Sequence, residues 1–539
     1  MVALTRTGLK NPKWKETGVR LPQFDIEEMI RKTKEAPTWI HIAPGNLYAA
    51  EIAPIQQALL ESGEVKEGII GIETWDEEIV DKVYHPRDNL RISVEMSSSG
   101  ENQIKIIAST ADVLYADTSR QEQWERTLGY FAKHSLQMVS VTCTEKGYST
   151  HDAQGNVYPV ILEDIKNGPG KATHIMSKIA SFAYHRYRNG GAPIAFVSMD
   201  NCSKNGENFF NAVSFIVKEW VYTSKLVEKE FLKYLESEKI SFPWTMIDRI
   251  TPRPSPENIE LLKGKGIEDM DIIKTSKGTF AAPFVNTEPI SYLVIEDSFP
   301  NQRPSLEKAD QSKNRVILVD SSEAVDKCEK MKLGTCLNPI HTTLATFGCL
   351  LGYDYIFQEM NDQLLKELVY RQAYEEGLPV VDNPEVINPE EFLRQVLEER
   401  LANPNIPDTP QRIATDTSRK VGVRYGGTIK AYGQNAKNLK YIPFAIAGWC
   451  RYLMGIDDTG KPFELSPDPM LKELKEYVYG IQQGKPETLG NKLKPILSNR
   501  EIFGLDLYSV GVAQRVEEYT RRMIADNGAI KKTLQVISG

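Results

Sequence analysis

Cysteine is scarce in this chain: six residues in 539, and Cys143, Cys202, Cys328, Cys336, Cys349 and Cys450 form neither a CxxC pair nor a regular series. That excludes a disulfide framework and a cysteine zinc site, and it leaves the reduced thiols expected of a cytoplasmic protein. The histidines show no HExxH or comparable ligand spacing, so no metal is expected. No apolar run approaches the ~18–20 residues of a membrane span. The opening MVALTRTGLKNPKWKE turns polar within a few residues and carries no apolar signal segment. No window holds a long basic block. With 65 Lys and Arg against 73 Asp and Glu, a net charge of −8, nucleic acid is a poor partner. Internal repeats and low-complexity tracts are absent.

What remains is ordinary globular material, 41% apolar and 26% charged, long enough for two or more domains of ~100–200 residues. Residues 1–37 read as a polar surface preamble with one amphipathic stretch near 24–34. The first strong strand signal, Thr38 to Ile42, runs into Ala43-Pro44-Gly45-Asn46 and then a helical segment that ends at Ser62-Gly63, a good C-cap. A second apolar run, 68–72, ends at Glu73, and further strand candidates lie at 103–108, 137–142 and 194–198. Helical patterns separate several of them, which predicts an α/β domain with a largely parallel sheet. From about 322 the periodicity becomes helical, over 322–334, 339–352, 359–376, 389–401, 440–454, 468–483 and 509–535. The polar stretch 301–314 is the expected seam, giving domains 1–310 and 311–539.

Four clusters are able to carry chemistry. In the turn 43–46, backbone N–H groups and a helix N-terminus suit a pyrophosphate. Against G-x-G-x-x-G, however, only Gly45 survives, and an ordinary βα turn would look the same. Glu73 suits a ribose diol, with Asp76 as a rival and a solvated strand-end acid as the plain alternative. Glu329 and Lys332 lie three apart on one helical face, either a proton-exchanging pair or a surface ion pair. Asn338-Pro339 reads as a helix start, with His341 in the first turn. Finally, Ser198-Met199-Asp200-Asn201 and Thr142-Cys143-Thr144-Glu145 each follow a strand, where open α/β sheets bind ligands.

In combination these segments become specific. TCTEKGY (142–148), SMDN (198–201) followed by Asn205-Gly206, FPWTMIDRITP (242–252), TEPISYLVIED (287–297), EKMK (329–332) and NPIHT (338–342) occur in one order. A looser match continues through RLANP (400–404). This ordered set resembles the long-chain mannitol dehydrogenase family of polyol and hexuronate-keto-acid reductases. The resemblance implies an N-terminal Rossmann-type domain, a mostly α-helical C-terminal domain, and metal-independent hydride transfer with NAD. It assigns catalytic roles to Lys332, to Glu329 as the acid exchanging protons with it, and to Asn201 and Asn338 at the reacting oxygen. His341 becomes a substrate contact. Ala43, Gly45, Asn46, Glu73, Thr144 and Glu145 are the expected cofactor contacts, and Asp248, Arg249, Arg400 and Lys420 the expected substrate-pocket positions. The partner implied is a small sugar acid or polyol, bound by a monomer or small homo-oligomer. NPIHT and the added length favour a hexuronate enzyme over a polyol dehydrogenase. An NAD-using epimerase or a non-catalytic dinucleotide sensor are the competing classes.

Two departures from the family pattern stand out: Ala43 replaces the first glycine, and one extra residue separates Lys332 from Asn338. At about 100° per residue, Lys332 and His341, nine positions apart, would lie on opposite faces of a continuous helix. If both serve one substrate, the ladder over Leu333–Asn338 must break before Pro339 or widen into a π-bulge.

Overall fold

The computed structural model describes every residue except 153, 310–313 and 539. The chain divides into two compact units, Met1–Asp326 and Lys327–Gly539. The expected boundary at 310/311 falls on residues outside those described.

The first unit is built on six parallel strands: β1 (Trp39–Ile42), β2 (Ile69–Glu73), β3 (Thr110–Tyr115), β4 (Met138–Val141), β5 (Ile194–Ser198) and β6 (Ile240–Ser241). Their spatial order is β3-β2-β1-β4-β5-β6, and β1 aligns Ile40 with Ile70 on one side and Val139 on the other. This is the doubly wound Rossmann arrangement, in which the chain reverses its direction of travel between β1 and β4. Every residue of β1, β2, β4 and β5 is buried, as expected of strands covered by helices on both faces. That is why these segments read as unbroken apolar runs. His41 is part of this core. It bonds Ser140 Oγ at 2.7 Å and stacks on Tyr48, and burial pushes its imidazole down to about 3, so it is neutral.

Helices Gln121–Phe131, Ile175–Arg188 and Asn205–Lys218 follow β3, β4 and β5 in sequence. The buried Arg186 guanidinium donates to the carbonyls of Phe131, Lys133, Leu136, Ala192 and Pro193, fastening a helix end to the edge of the sheet. The segment 103–107 is a strand, but it pairs antiparallel with Arg91–Glu95 in a separate small sheet rather than joining the parallel one. The amino-terminal residues are more than a surface preamble. Val2, Leu4 and Trp14 are buried, and Val2 N–H donates to Gly266 O. A few apolar residues spaced without periodicity were enough to dock this segment, which is why pattern alone left it on the surface.

The second unit is helical. Its central helix, Tyr441–Tyr452, is buried at every residue, the mark of a helix enclosed on all sides. Phe444 stacks on Phe347 from helix Asn338–Leu351. A Cβ on Gly448 would come within 2.7 Å of the Phe347 ring, so glycine is what permits this close helix crossing. Among the described residues no helix is long and apolar enough to cross a membrane.

Candidate active site

In the first unit the carboxyl ends of β1, β2, β4 and β5 gather the residues expected at a dinucleotide. Ala43 closes β1 and takes the left-handed conformation that glycine prefers, with φ at 63°. Its N–H donates to Ile72 O, and Gly45 N–H returns to Ala43 O, each at 2.8 Å. The chain is helical from Asn46, through a wide turn at Tyr48–Ile52 and then Ala53–Ser62. A Cβ on Gly45 would meet nothing nearer than Ala43 O at 3.9 Å. The backbone of this turn therefore faces open space at a helix N-terminus, and it fits a pyrophosphate although the first glycine is gone. Left-handed alanine costs ~1 kcal/mol or more. Ala43→Gly is accordingly expected to raise unfolding free energy by up to about 1 kcal/mol, net of the added unfolded-state entropy. Denaturant unfolding checks this, and a loss of stability would contradict it.

Glu73 is buried at the end of β2. Its Oε1 accepts the N–H groups of Thr74, Trp75 and Asp76, which shapes the loop. Burial raises its carboxyl pKa against the pull of those donors. Asp76, the rival, is turned away, its Oδ2 accepting from Thr275 Oγ1 at 2.7 Å. After β4, Thr144 precedes the short helix Glu145–Tyr148. Tyr148 OH bonds Ser198 Oγ and Asp200 Oδ2, both at 2.5 Å, and so ties this loop to the one after β5. Asn201, the next residue, is exposed.

Asp248 is buried at the end of strand Thr245–Asp248. Arg249 is placed differently from expectation. Its side chain is wholly enclosed and pairs with Glu51 at 2.9 Å and Glu95 at 3.1 Å. It also donates to Ala50 O and Glu288 O. Such a guanidinium is an internal clamp, with its donors committed to the protein.

In the second unit, Glu329 and Lys332 are each only 7% exposed, which removes the reading as a surface helix pair. Glu329 lies in the last turn of helix Ser322–Met331. Lys332 opens a π-helical turn, Lys332–Cys336, in which Leu337 N–H bonds back to Lys332 O at 3.1 Å. Leu337 then leaves helical geometry, with φ −123° and ψ −63°, before helix Asn338–Leu351 begins. The ladder is interrupted within 333–338, where the expectation of one substrate for Lys332 and His341 placed it, by widening and a break together.

Leu337, not Asn338, stands at the N-cap of helix Asn338–Leu351, and it supplies no side-chain capping bond. His341, one turn on, places Nε2 3.1 Å from Asp408 Oδ2. Burial raises the Asp408 carboxyl pKa, but His341 and Arg412 outweigh it and hold the group below the usual range. Arg400 is buried and sits over the Phe392 ring at 5.8 Å. Lys420 donates to Thr415 O at 2.5 Å, and burial followed by the neighbouring Arg424 charge lowers its ammonium pKa. Asp408 and Arg424 escaped the sequence reading. Asp408 lies 67 positions after His341, and no local pattern marks that pairing.

Comparison with known proteins follows the same division. Residues 38–308 match the family model for the mannitol dehydrogenase Rossmann domain, and residues 324–523 that for the mannitol dehydrogenase C-terminal domain. The chain is 50% identical to a D-mannonate oxidoreductase of Thermotoga maritima, over 98% of this chain and 97% of that one. It is 30% identical to a mannitol 2-dehydrogenase of Neosartorya fischeri, over 87% of each. Among solved structures, Pseudomonas fluorescens mannitol 2-dehydrogenase in ternary complex with NAD and D-mannitol superposes with a TM-score of 0.72 at 23% identity, covering 99% of both chains. A D-sorbitol dehydrogenase gives 0.78 at 24% identity, covering 98% of this chain and 99% of that one.

Proposed function

The chain belongs to the mannitol dehydrogenase family and is an oxidoreductase acting on CH–OH groups with NAD; from that premise we propose that it reduces D-fructuronate to D-mannonate and catalyses the reverse oxidation. The observation that carries the substrate is the relation to a D-mannonate oxidoreductase, much nearer than that to the mannitol 2-dehydrogenase.

When bound, NAD(H) supplies the hydride acceptor or donor for the carbinol or ketone carbon. The turn Ala43, Gly45 and Asn46 would hold its pyrophosphate, Glu73 its ribose diol, and Thr144 and Glu145 the part nearer the reacting carbon. In reduction, Lys332 as ammonium gives a proton to the ketone oxygen. In oxidation the same side chain, neutral, takes the proton back, and Glu329 exchanges it onward. Asn201 and Asn338 donate amide N–H groups to that oxygen and stabilise its developing negative charge. His341 would hold a substrate hydroxyl, and Asp248, Arg400 and Lys420 would be further substrate contacts.

Purified enzyme with NADH and D-fructuronate, D-tagaturonate or D-fructose tests the reading. Stoichiometric NADH oxidation, fastest with D-fructuronate, is expected. Faster turnover of another sugar would move the substrate assignment. Interconversion of sugar acids without net NADH consumption would indicate an epimerase, and binding without turnover a sensor.

Cofactor choice gives a further expected result. The Glu73 carboxylate would oppose a 2′-phosphate, and the nearby cations are otherwise engaged. Lys82 pairs with Glu78, and Arg87 donates to Lys82 O and Asp269 O. NADPH should therefore show kcat/KM at least about tenfold below that of NADH, roughly 1.4 kcal/mol of charge repulsion. Equal values for the two cofactors would refute this.

A further inference from the structure

Among the described residues, Arg424 of the second unit meets no carboxylate within ion-pair distance. Arg424 lies in the π-helical turn Gly422–Gly426, which packs against the turn that begins at Lys332. A Cβ on Gly334 would sit 3.5 Å from Val423 O, and Thr428 Oγ1 donates to Gly334 O at 3.2 Å. Next to Arg424, Tyr425 bonds Thr343 Oγ1 at 3.0 Å and Pro339 O at 3.3 Å. Arg424 Nη1 itself donates to Thr342 Oγ1, and that hydroxyl donates to Asn338 O at 2.9 Å. The guanidinium thus stands over the first turn of the helix that carries Asn338 and His341.

A guanidinium has five N–H donors, and here one finds a partner, an uncharged hydroxyl. Among the described residues no carboxylate pairs with Arg424 or with Lys420, one turn before it. Arg412 shows the contrast, bonded to Asp408 at 2.8 Å. Burial pushes the Arg424 guanidinium down to about 10. Both side chains are half-buried, and taking a cation out of water is costly unless an anion offsets it. Lys420 feels Asp416 and Asp468 only beyond ion-pair distance, and Arg424 feels no carboxylate, so the two adjacent cations form a place that an anion completes.

We infer that Arg424, with Lys420 beside it, receives the carboxylate of the sugar-acid substrate and is the residue that distinguishes a keto-hexuronate from a neutral ketose. The inference rests on the substrate reading above. A planar guanidinium matches a carboxylate in a bidentate pair, and a ketose offers nothing in its place.

The test compares wild type with Arg424→Met. The ratio of kcat/KM for D-fructuronate to that for D-fructose should fall about 30- to 100-fold, the worth of a charge-assisted pair. Affinity for D-mannonate in the presence of NADH should fall similarly, and affinity for D-mannitol should not. Thermal stability should hold or rise, since a half-buried charge with no carboxylate partner is removed. Arg424→Lys should retain part of the ratio, and guanidinium chloride at low concentration should restore part of it to Arg424→Ala. If Arg424→Met proves unstable, Lys420→Met is read for the same ratio. An unchanged ratio in an enzyme that turns over D-fructuronate would overturn the role of Arg424 alone. A weaker NADH dissociation constant with the ratio unchanged would also overturn it, assigning the charge to the dinucleotide. A wild-type enzyme inactive on every hexuronate would overturn the substrate reading and this inference with it.

Discussion

Lys332→Ala is expected to lower kcat at least a hundredfold, while the dissociation constant for NADH stays within a few-fold of wild type. General acid–base catalysis contributes ~10²–10⁴-fold, and proton transfer belongs to the transition state, so the loss falls on kcat rather than on binding. The structural case is the enclosure of Lys332 and Glu329 at 7% exposure each, beside a turn that departs from regular helix. A lysine placed there for packing alone would lose stability on truncation and leave kcat of the folded fraction unmoved. The alanine variant should instead fold normally, with its loss confined to kcat. Retention of more than about a tenth of wild-type kcat would be incompatible with the role.

Asn338→Ala should cost ~10²–10³ in kcat, the usual effect of removing one donor from a developing oxyanion. The residue had an innocent explanation, since asparagine before proline is a good helix start. The structure withdraws it, because Leu337 rather than Asn338 occupies the cap position, with non-helical dihedrals. Loss of a working N-cap would destabilise by ~1 kcal/mol, whereas Asn338→Ala should leave the unfolding midpoint within experimental scatter. Unfolding and steady-state kinetics on the same preparation separate the two. A drop in stability with kcat preserved would restore the capping explanation and remove Asn338 from the reaction.

Several features were legible because they depend on near neighbours in the chain. β1, the turn at Ala43–Asn46 and Glu73 at the end of β2 follow from burial on both faces and from turn chemistry over a few residues. β3 (Thr110–Tyr115) was missed because ADVLY breaks the apolar run with a charged residue. In the fold that residue, Asp112, is satisfied by Arg126 and Tyr130, partners from a helix that no strand pattern contains. The interruption after Lys332 was also legible, as arithmetic: nine residues at about 100° cannot aim two side chains one way along a regular helix.

The class of fold, the helical second half and, once Lys332 and His341 are read as serving one substrate, the broken ladder between them were already written in the chain. All of these are set by local sterics, period and spacing, which are properties of a short stretch of chain. What each charge meets emerges only when the chain packs. Arg249 and Arg424 look equivalent as letters, yet one is enclosed between Glu51 and Glu95 and the other meets no carboxylate among the described residues. The partners of Arg249 lie 198 and 154 positions away. Whether a cation is a clamp or a receptor depends on the neighbours that desolvate it and on whether any of them carries the opposite charge. Those neighbours are assembled only when distant segments pack.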